Sequence, residues 1–423
     1  MIMDTSRARA AELDQQDPLA AFRQHFYQPD PDLVYMDGNS LGRLPLTTPE
    51  RLHQVIQQEW GTQLIRSWNE AGWFTSPQRL GDLLAPLIGA AAGEVAIGDS
   101  TTVNFFKLVL AALGLRPDRP KIVSDVFNFP SDLYVLQGVR SLLGNRHNLH
   151  LMPSRDGIYM DWETIAESID SSTALVTLSH VAFKSSFMYD ARAVTEYAHQ
   201  QGALVLWDLS HAAGAVPVAL NDWGADFAVG CTYKYLNGGP GAPAFLYVRR
   251  ELQAQAASPI WGWYGDSRPF AFDLAYAPAP DIRRFVSGTP PVLSLLAIEQ
   301  GISLLAQAGI APLRAKSVAL TEYMIALADT ILAPLGFVLG TPREPAQRGS
   351  HISIRHVEGY RINRALIEEM QVVPDFRTPD NLRLGLAPLY TSFTDVWETV
   401  ERIRRVVVEQ RYQHYPTTHT AVT

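Results

Sequence analysis

The sequence predicts an α/β fold: a large domain with a mostly parallel sheet flanked by helices, and then a small α+β C-terminal domain. Between about residues 94 and 250, seven short apolar runs alternate with helical patterns. The runs are rich in Val, Leu and Ala and do not alternate strictly with polar residues, which is typical of strands buried on both faces. The alternation of such runs with helices favours a parallel sheet covered on both sides. After about residue 309 the pattern changes, which indicates a second unit.

The elements of the large domain follow from this pattern in chain order. Its helical stretches cover residues 102–113, 131–143 and 191–201. They connect predicted strands within 94–98, 121–126, 147–152, 173–181, 203–208, 227–233 and 242–248. Residues 251–290 are rich in aromatic residues and Pro and are predicted to be loops. Thr289, followed by two prolines, is expected to open the next helix, because Pro is tolerated in a first turn.

The remaining segments complete the predicted organisation. Residues 1–60 are predicted to form an arm, with a polar helix and a turn-rich stretch, that contributes to the small domain. Residues 61–308 form the large domain and 309–423 the small one. In the small domain we expect a long helix over 310–333, strands near 337–340, 351–356 and 381–387, and helices near 361–370 and 393–411.

Composition and charge exclude several classes of function. The 423 residues carry a net charge of −8, which is not the charge of a general nucleic-acid binder. No uninterrupted apolar run reaches the ~18 residues of a membrane span, and the first residues lack the apolar core of a secretion signal. The single cysteine, Cys231, fits a reduced cytoplasm and is interpreted as a core thiol.

Polar side chains cluster at five successive predicted strand ends, where ligands bind in open α/β sheets. The hydroxyls of Ser100, Thr101 and Thr102 stand at a helix start. They could form a plain N-cap, or they could bind an anion with the free backbone N–H groups. Asp208 ends an otherwise apolar strand, and a buried carboxylate needs a partner.

Only five lysines are available for amine chemistry, and Lys234 is the only one at the end of an apolar run. A solvated amine is the simpler explanation for the other four, Lys107, Lys121, Lys184 and Lys316. Asp208 and Lys234 could form a structural ion pair. They could also bind pyridoxal phosphate, which needs a lysine for its aldehyde and a carboxylate at its ring nitrogen. Phe129 could then pack on the cofactor ring.

Motifs for other chemistries are missing from the sequence. It has no phosphate-binding G-x-x-x-x-G-K-[ST], no H-E-x-x-H, no C-x-x-C and no G-x-S-x-G. His351 and His356 are five residues apart, which puts them on opposite faces of a strand. No metal is therefore expected.

Several long segments resemble kynureninases, which are fold-type I pyridoxal-phosphate enzymes related to class-V aminotransferases. The similar segments are 35–42, 67–73, 101–113, 129–135, 207–241, 262–265, 285–301 and 382–397. The segment 207–241, which contains WDLSHAAGAVPV and TYKYLNGGPG, is far more specific than a single short motif. The resemblance extends along most of the chain.

The resemblance also implies roles for individual residues. Lys234 would bind the cofactor aldehyde, Asp208 the pyridine nitrogen, and Arg383 the substrate α-carboxylate. Tyr233 would be catalytic as a proton donor, and Trp68 would lie near the aryl pocket. Trp263 and Thr289 would complete the phosphate site of the neighbouring subunit, which implies a homodimer with shared active sites. The other implied cofactor contacts are Thr101, Thr102, Phe129, Pro130, Ser131, Asp132, Ser179 and His211.

The implied reaction is hydrolysis of the Cβ–Cγ bond of L-kynurenine, or of its 3-hydroxy form, to anthranilate or 3-hydroxyanthranilate and L-alanine in tryptophan degradation. The alternatives are a related fold-type I enzyme, such as an aminotransferase or a cysteine desulfurase, and a non-catalytic cofactor-binding module. Trp68, Trp263 and the lack of a catalytic cysteine argue against the first alternative. The presence of Lys234, Asp208 and Arg383 together argues against the second.

Overall fold

The computed structural model describes residues 4–418, so the first three and last five residues of the predicted arm and small domain lie outside it. The strands within this range are β1 (Val34–Tyr35), β2 (Val95–Ile97), β3 (Lys121–Asp125), β4 (Asn148–Met152), β5 (Thr173–Ser179), β6 (Leu204–Asp208), β7 (Phe227–Gly230), β8 (Phe245–Val248), β9 (Val338–Leu339), β10 (His351–Arg355), β11 (Val372–Val373), β12 (Asp375–Arg377) and β13 (Asn381–Gly385). The α-helices are α1 (Arg7–Gln16), α2 (Thr48–Gln54), α3 (Ser67–Glu70), α4 (Ser76–Leu84), α5 (Thr101–Gly114), α6 (Pro130–Leu142), α7 (Trp162–Ser168), α8 (Ala191–Gln200), α9 (Leu220–Trp223), α10 (Arg250–Gln253), α11 (Val292–Ala308), α12 (Ile310–Leu327), α13 (Gly359–Met370) and α14 (Phe393–Val408).

Seven strands form the central sheet, in the order β2-β8-β7-β6-β5-β3-β4. The pairs from β7 to β4 are all parallel, and β8 alone runs antiparallel to both of its neighbours. The prediction of a mostly parallel sheet is therefore confirmed. All seven apolar runs found in the sequence became these seven strands.

Both faces of this sheet are covered by helices. Along β6, Leu204 and Leu206 join a core with helices α5 and α6, whereas Val205 and Trp207 join a second core with α8 and α11. Successive side chains of a strand point to opposite faces, so a strand buried on both sides must be apolar throughout. This is the physical reason for the unbroken apolar runs.

The C-terminal part of the chain has its own antiparallel sheet, in the order β12-β13-β10-β9. Helices α12, α13 and α14 supply a separate core there. The two-residue strand β1 pairs in parallel with β11, which ties the beginning of the chain to this region. Our division of the chain at residues 60 and 308 stays a prediction.

One helical stretch, Ile310–Leu335, is long and apolar enough to cross a membrane by length and composition alone. Its side chains at Leu320, Met324 and Leu327 are fully buried against the C-terminal core. Such packing is what a core helix shows, and the stretch gives only weak evidence for a membrane span.

Two expectations from the sequence were wrong. Helix α11 begins at Val292 with Pro291 as its N-cap, so Thr289 lies in the preceding loop and does not open the helix. Lys107 and Lys316 are not solvated, since both are buried and paired, with Asp99 at 2.8 Å and with Asp17 at 2.6 Å. A helical pattern shows which face carries a lysine but not what packs over that face.

Candidate active site

A cavity of about 210 Å³ lies at the carboxyl ends of β5 and β6, beneath the edge of the C-terminal sheet. Parallel strands place their ends at one edge of the sheet, so residues distant in the sequence meet there. Of the residues proposed from the sequence, eleven line this cavity. Its full lining is Ser40, Thr101, Thr102, Phe129, Ser131, Asp132, Ser179, Phe183, Asp208, Ser210, His211, Tyr233, Lys234, Arg377 and Arg383.

Asp208 is the last residue of β6, and it is buried at the cavity floor. Its Oδ1 accepts hydrogen bonds from the Ser210 backbone N–H at 2.8 Å and from the Ser210 hydroxyl at 2.6 Å. The Ser179 hydroxyl donates to Oδ2 at 3.4 Å. These bonds hold the carboxylate in one orientation.

Lys234 approaches the same cavity from the loop after β7. Its Nζ lies 2.9 Å from Nε2 of His211 and 5.9 Å from the ring centre of Phe129. Among the described residues, no ion pair within 4.0 Å joins Lys234 to Asp208, so the purely structural pairing is not the arrangement found. Burial, and then the charge of Lys234, hold the pKa of His211 well below its usual range. His211 is therefore neutral, and its ring nitrogen can accept a hydrogen bond from the amine.

At the start of helix α5, one residue caps the helix and two others remain available to bind an anion. Ser100 is the N-cap, and its hydroxyl accepts from the Val103 backbone N–H at 3.3 Å. The hydroxyls of Thr101 and Thr102 are not needed for the cap and face the cavity, where Thr102 lies 3.0 Å from the Ser131 hydroxyl. A helix N-terminus with hydroxyls that face a cavity is suited to a phosphate group.

Asp132 in the first turn of α6 is buried, and its Oδ2 has no hydrogen-bond partner in residues 4–418. Burial, and then the nearby Asp208 carboxylate, raise the pKa of Asp132 well above its usual range. A buried carboxyl oxygen without a partner is costly, so a polar group of a bound molecule would be favoured there. Pro130, the first residue of the same helix, does not line the cavity.

Arg383 of β13 closes the cavity from the C-terminal sheet and is almost fully buried. It forms a salt bridge with Asp375, and it donates to the Phe183 carbonyl at 2.6 Å and the Ser40 hydroxyl at 2.8 Å. Its Nε has no partner among the residues described. An oriented guanidinium with a free N–H is suited to a carboxylate. Arg377 adds a second positive charge to this wall.

The remaining predicted site residues lie outside the cavity of this chain. Trp68 and Trp263 contact each other edge to face, with ring centres 6.1 Å apart. Phe74 and Phe270 extend this aromatic cluster. Thr289 is exposed in the loop before α11. Their roles stay predictions.

Four lining residues were not found from the sequence: Ser40, Phe183, Ser210 and Arg377. Ser40 and Ser210 lie inside the motifs YMDGNSLG and WDLSHAA, which were a usable signal. Phe183 and Arg377 lie in segments without a motif. Cys231, the only cysteine, is buried, and burial raises its thiol pKa, which disfavours the reactive thiolate.

Comparisons with known proteins identify relatives of this chain. The kynureninase of Pseudomonas fluorescens is 45% identical over 407 residues, which cover 95% of this chain and 96% of that protein. The kynureninase of Burkholderia pseudomallei is 46% identical over 406 residues, covering 95% of each. Residues 313–403 match the family model of the kynureninase C-terminal domain.

Solved structures share the fold at low sequence identity. A cysteine desulfurase from Thermococcus onnurineus has a TM-score of 0.76 and 18% identity, with 94% of this chain and 98% of that chain covered. A C-DES variant with glycine covalently linked to its PLP cofactor has a TM-score of 0.77 and 16% identity, with 89% and 99% covered. The predicted fold-type I architecture is thus confirmed. Since it is 45% identical to a kynureninase over 95% of its length, the chain belongs to the kynureninase family.

Proposed function

We propose that this chain uses pyridoxal 5′-phosphate to hydrolyse the Cβ–Cγ bond of L-kynurenine, or of its 3-hydroxy form. The products are anthranilate, or 3-hydroxyanthranilate, and L-alanine. The observation that carries the proposal is that Lys234, Asp208 and Arg383 line one cavity in a chain that is 45% identical to a kynureninase. We assign the enzyme to tryptophan degradation in the cytoplasm.

The residues of the cavity fit the cofactor. Lys234 is the amine for its aldehyde, and Asp208 is the fixed carboxylate for its ring nitrogen. Thr101 and Thr102 at the start of α5 would hold the phosphate. The unpartnered Oδ2 of Asp132 offers an acceptor for a polar group of the ring. When bound, the cofactor supplies an electron sink that stabilises negative charge at the substrate α-carbon.

Arg383 would orient the substrate by its α-carboxylate. Its Nε is unpartnered, and the salt bridge with Asp375 fixes the plane of the guanidinium. A buried positive charge at a fixed position binds one end of the substrate and thereby orients its reacting bond in the site. Arg377 lies beside it and increases the positive potential of this wall. Burial, and then the charge of Arg383, lower the pKa of Arg377.

Protons would be transferred by Lys234 and Tyr233. The Lys234 amine, 2.9 Å from neutral His211, is placed to remove and return protons at the substrate α-carbon. Burial lowers the pKa of His211, so its imidazole is neutral and exerts no charge repulsion on a protonated amine. Burial raises the pKa of Tyr233 above its usual value, so its hydroxyl stays protonated and can donate to a developing negative charge.

We also propose a homodimer that completes the site. Trp263 and Thr289 do not reach this chain's cavity, but both lie in surface segments that a second copy could place there. Large apolar side chains are exposed on nearby parts of the chain, which is unusual for a monomer surface. They are Trp60, Ile65, Trp261, Phe270, Phe272, Leu274 and Leu293.

The runner-up is a related fold-type I enzyme, an aminotransferase or a cysteine desulfurase, since the structural neighbours include desulfurases. A desulfurase needs a reactive thiol, whereas Cys231 is buried with a raised pKa. One assay separates these activities. Purified protein loaded with pyridoxal phosphate is mixed with L-kynurenine, and anthranilate fluorescence is followed over time. We expect a linear increase that depends on the cofactor. Folded, cofactor-loaded protein that releases no anthranilate would refute the proposal.

A further inference from the structure

We propose that a second cavity, on the opposite face of the sheet from the active site, binds an aromatic α-amino acid. This cavity has a volume of about 630 Å³, compared with about 210 Å³ for the active-site cavity. It lies between the start of α8, the end of α9 and the first turns of α12. None of its lining residues takes part in the site described above.

Four aromatic side chains, those of Trp162, Phe187, Tyr189 and Trp223, contribute to the cavity wall together with aliphatic side chains. Trp223 contacts His180 edge to face at 4.9 Å, and Phe187 contacts Tyr189 at the same distance. Trp162 is 44% exposed at the cavity mouth. Flat apolar walls of this kind favour a planar ring, because rings gain both burial and edge-to-face contacts. The wall therefore selects the aromatic part of the ligand.

Arg314 of α12 supplies a positive charge that the protein itself leaves uncompensated. Its Nη2 donates to the carbonyls of Pro345 at 2.5 Å and Arg348 at 3.0 Å. Its Nη1 is buried without a partner, and no described carboxylate pairs with it. Burial, and then the charge of Arg348, lower the pKa of Arg314 to about 10, so it stays protonated at neutral pH. A ligand carboxylate would compensate this charge and take up the free N–H.

Two further polar groups face the cavity. His180 is buried, and its Nδ1 has no hydrogen-bond partner among residues 4–418. Asp190 lies exposed on the rim, and its Oδ1 accepts from the Ala193 backbone N–H at 3.0 Å as the N-cap of α8. Because a negative charge, Asp190, and a positive charge, Arg314, line the same cavity, a zwitterion is favoured over a simple anion. The α-carboxylate would bind Arg314 and the ammonium group Asp190, which identifies the ligand as an amino acid.

This site lies one residue away from the cofactor cavity along β5. Ser179 points to Asp208, whereas the next residue, His180, points to the second cavity. The His180 backbone N–H donates to the Asp208 carbonyl at 2.9 Å. The two cavities are therefore separated by the sheet and can be occupied independently.

The test measures binding of radiolabelled L-phenylalanine by equilibrium dialysis. Cofactor-loaded protein is first treated with borohydride, which fixes the cofactor on the lysine and closes the active site to amines. We expect one bound L-phenylalanine per chain in the treated protein. Arg314→Gln should raise the dissociation constant at least about tenfold, as loss of a charged hydrogen bond predicts. Absence of saturable binding at millimolar concentration would overturn the proposal.

Two further variants keep the test decisive if Arg314→Gln unfolds. Ala346→Trp fills the cavity from an exposed lining position, and Asp190→Asn removes the rim charge while an Asn side chain can still cap α8. Each should weaken L-phenylalanine binding at least about tenfold at an unchanged rate of anthranilate release. Unchanged binding in both variants, or equally tight binding of benzoate, would refute an amino-acid site here.

Discussion

The buried lysine Lys107 allows a direct test of how the start of helix α5, the proposed phosphate-binding end, is held in place. Its Nζ donates to Asp99 Oδ2 at 2.8 Å and to the Phe285 carbonyl, and its side chain is fully buried. Asp99 has a φ of +50° directly before the N-cap Ser100. Lys107 therefore fixes a turn that an L-residue rarely adopts, next to the Thr101 and Thr102 hydroxyls.

The substitution Lys107→Met keeps most of the length of the side chain and removes its charge. Breaking a fully buried ion pair costs about 3–5 kcal/mol. Asp99 is 32% exposed, so water can partly replace the lost partner. Burying the Lys107 charge also costs free energy, and the variant avoids this cost, which reduces the destabilisation further. We expect the free energy of unfolding to fall by about 2–3 kcal/mol. Pyridoxal phosphate should also bind more weakly.

Urea unfolding of the apo protein, followed by circular dichroism, measures the change in free energy. Lys121→Met is the matched control, because Lys121 pairs with Asp170 at the same 2.8 Å but Asp170 is half exposed. A surface pair contributes about 0–1 kcal/mol. Equal effects of the two substitutions, or no loss of cofactor affinity in Lys107→Met, would refute the reasoning.

The remaining predictions concern the site and its supports. Lys234→Ala should abolish the visible absorbance of lysine-bound cofactor, and persistence of this absorbance would move the role to another lysine. Arg383→Ala should raise KM for L-kynurenine at least about tenfold while the cofactor stays bound; loss of cofactor in a titration would contradict its role in substrate binding. Tyr189→Phe removes the hydroxyl that donates a hydrogen bond to the buried Asp125, so the free energy of unfolding in urea titrations should fall by about 1–3 kcal/mol. A fall of less than about 0.5 kcal/mol would be inconsistent with this Tyr189–Asp125 hydrogen bond. Burial lowers the pKa of His180 to about 4, so the unfolded chain binds a proton at a higher pH than the folded chain does. As the pH falls from about 6.5 to 4, the free energy of unfolding should therefore fall by up to about 1.4 kcal/mol per pH unit. His180→Gln should flatten this slope between those pH values, and an unchanged slope would refute the assignment.

Most of the fold and the centre of the site could be predicted from the sequence because both depend on local pattern. Apolar runs fix the strands, and residues directly after a run must stand at the edge of the sheet where ligands bind. Asp208 and Lys234 were located in this way before any contact was known. Strands β1, β11 and β12 were not predicted, because two or three residues are too few to show a period.

The fate of the lysines shows what required the tertiary structure. Lys107 and Lys316 look like surface residues of helices, but both are buried and paired. Lys107 pairs with Asp99, eight residues earlier, and Lys316 pairs with Asp17 in the N-terminal arm. Similarly, Arg377 reaches the active site only because the C-terminal sheet folds over it. The burial of Lys107, the partner of Lys316 and the position of Arg377 depend on long-range packing, which no local pattern encodes.

The sequence by itself determined the family, the alternating α/β architecture and the residues that we propose bind an aldehyde and a ring nitrogen. The tertiary structure decided that Asp208 is held by Ser210 and Ser179, and that His211 is neutral beside Lys234. It also showed the second cavity around His180 and Arg314. The physical reason is that the periodic patterns of strands and helices depend only on residues that are close together in the sequence. Burial, charge compensation and cavity shape arise only when distant segments exclude water together.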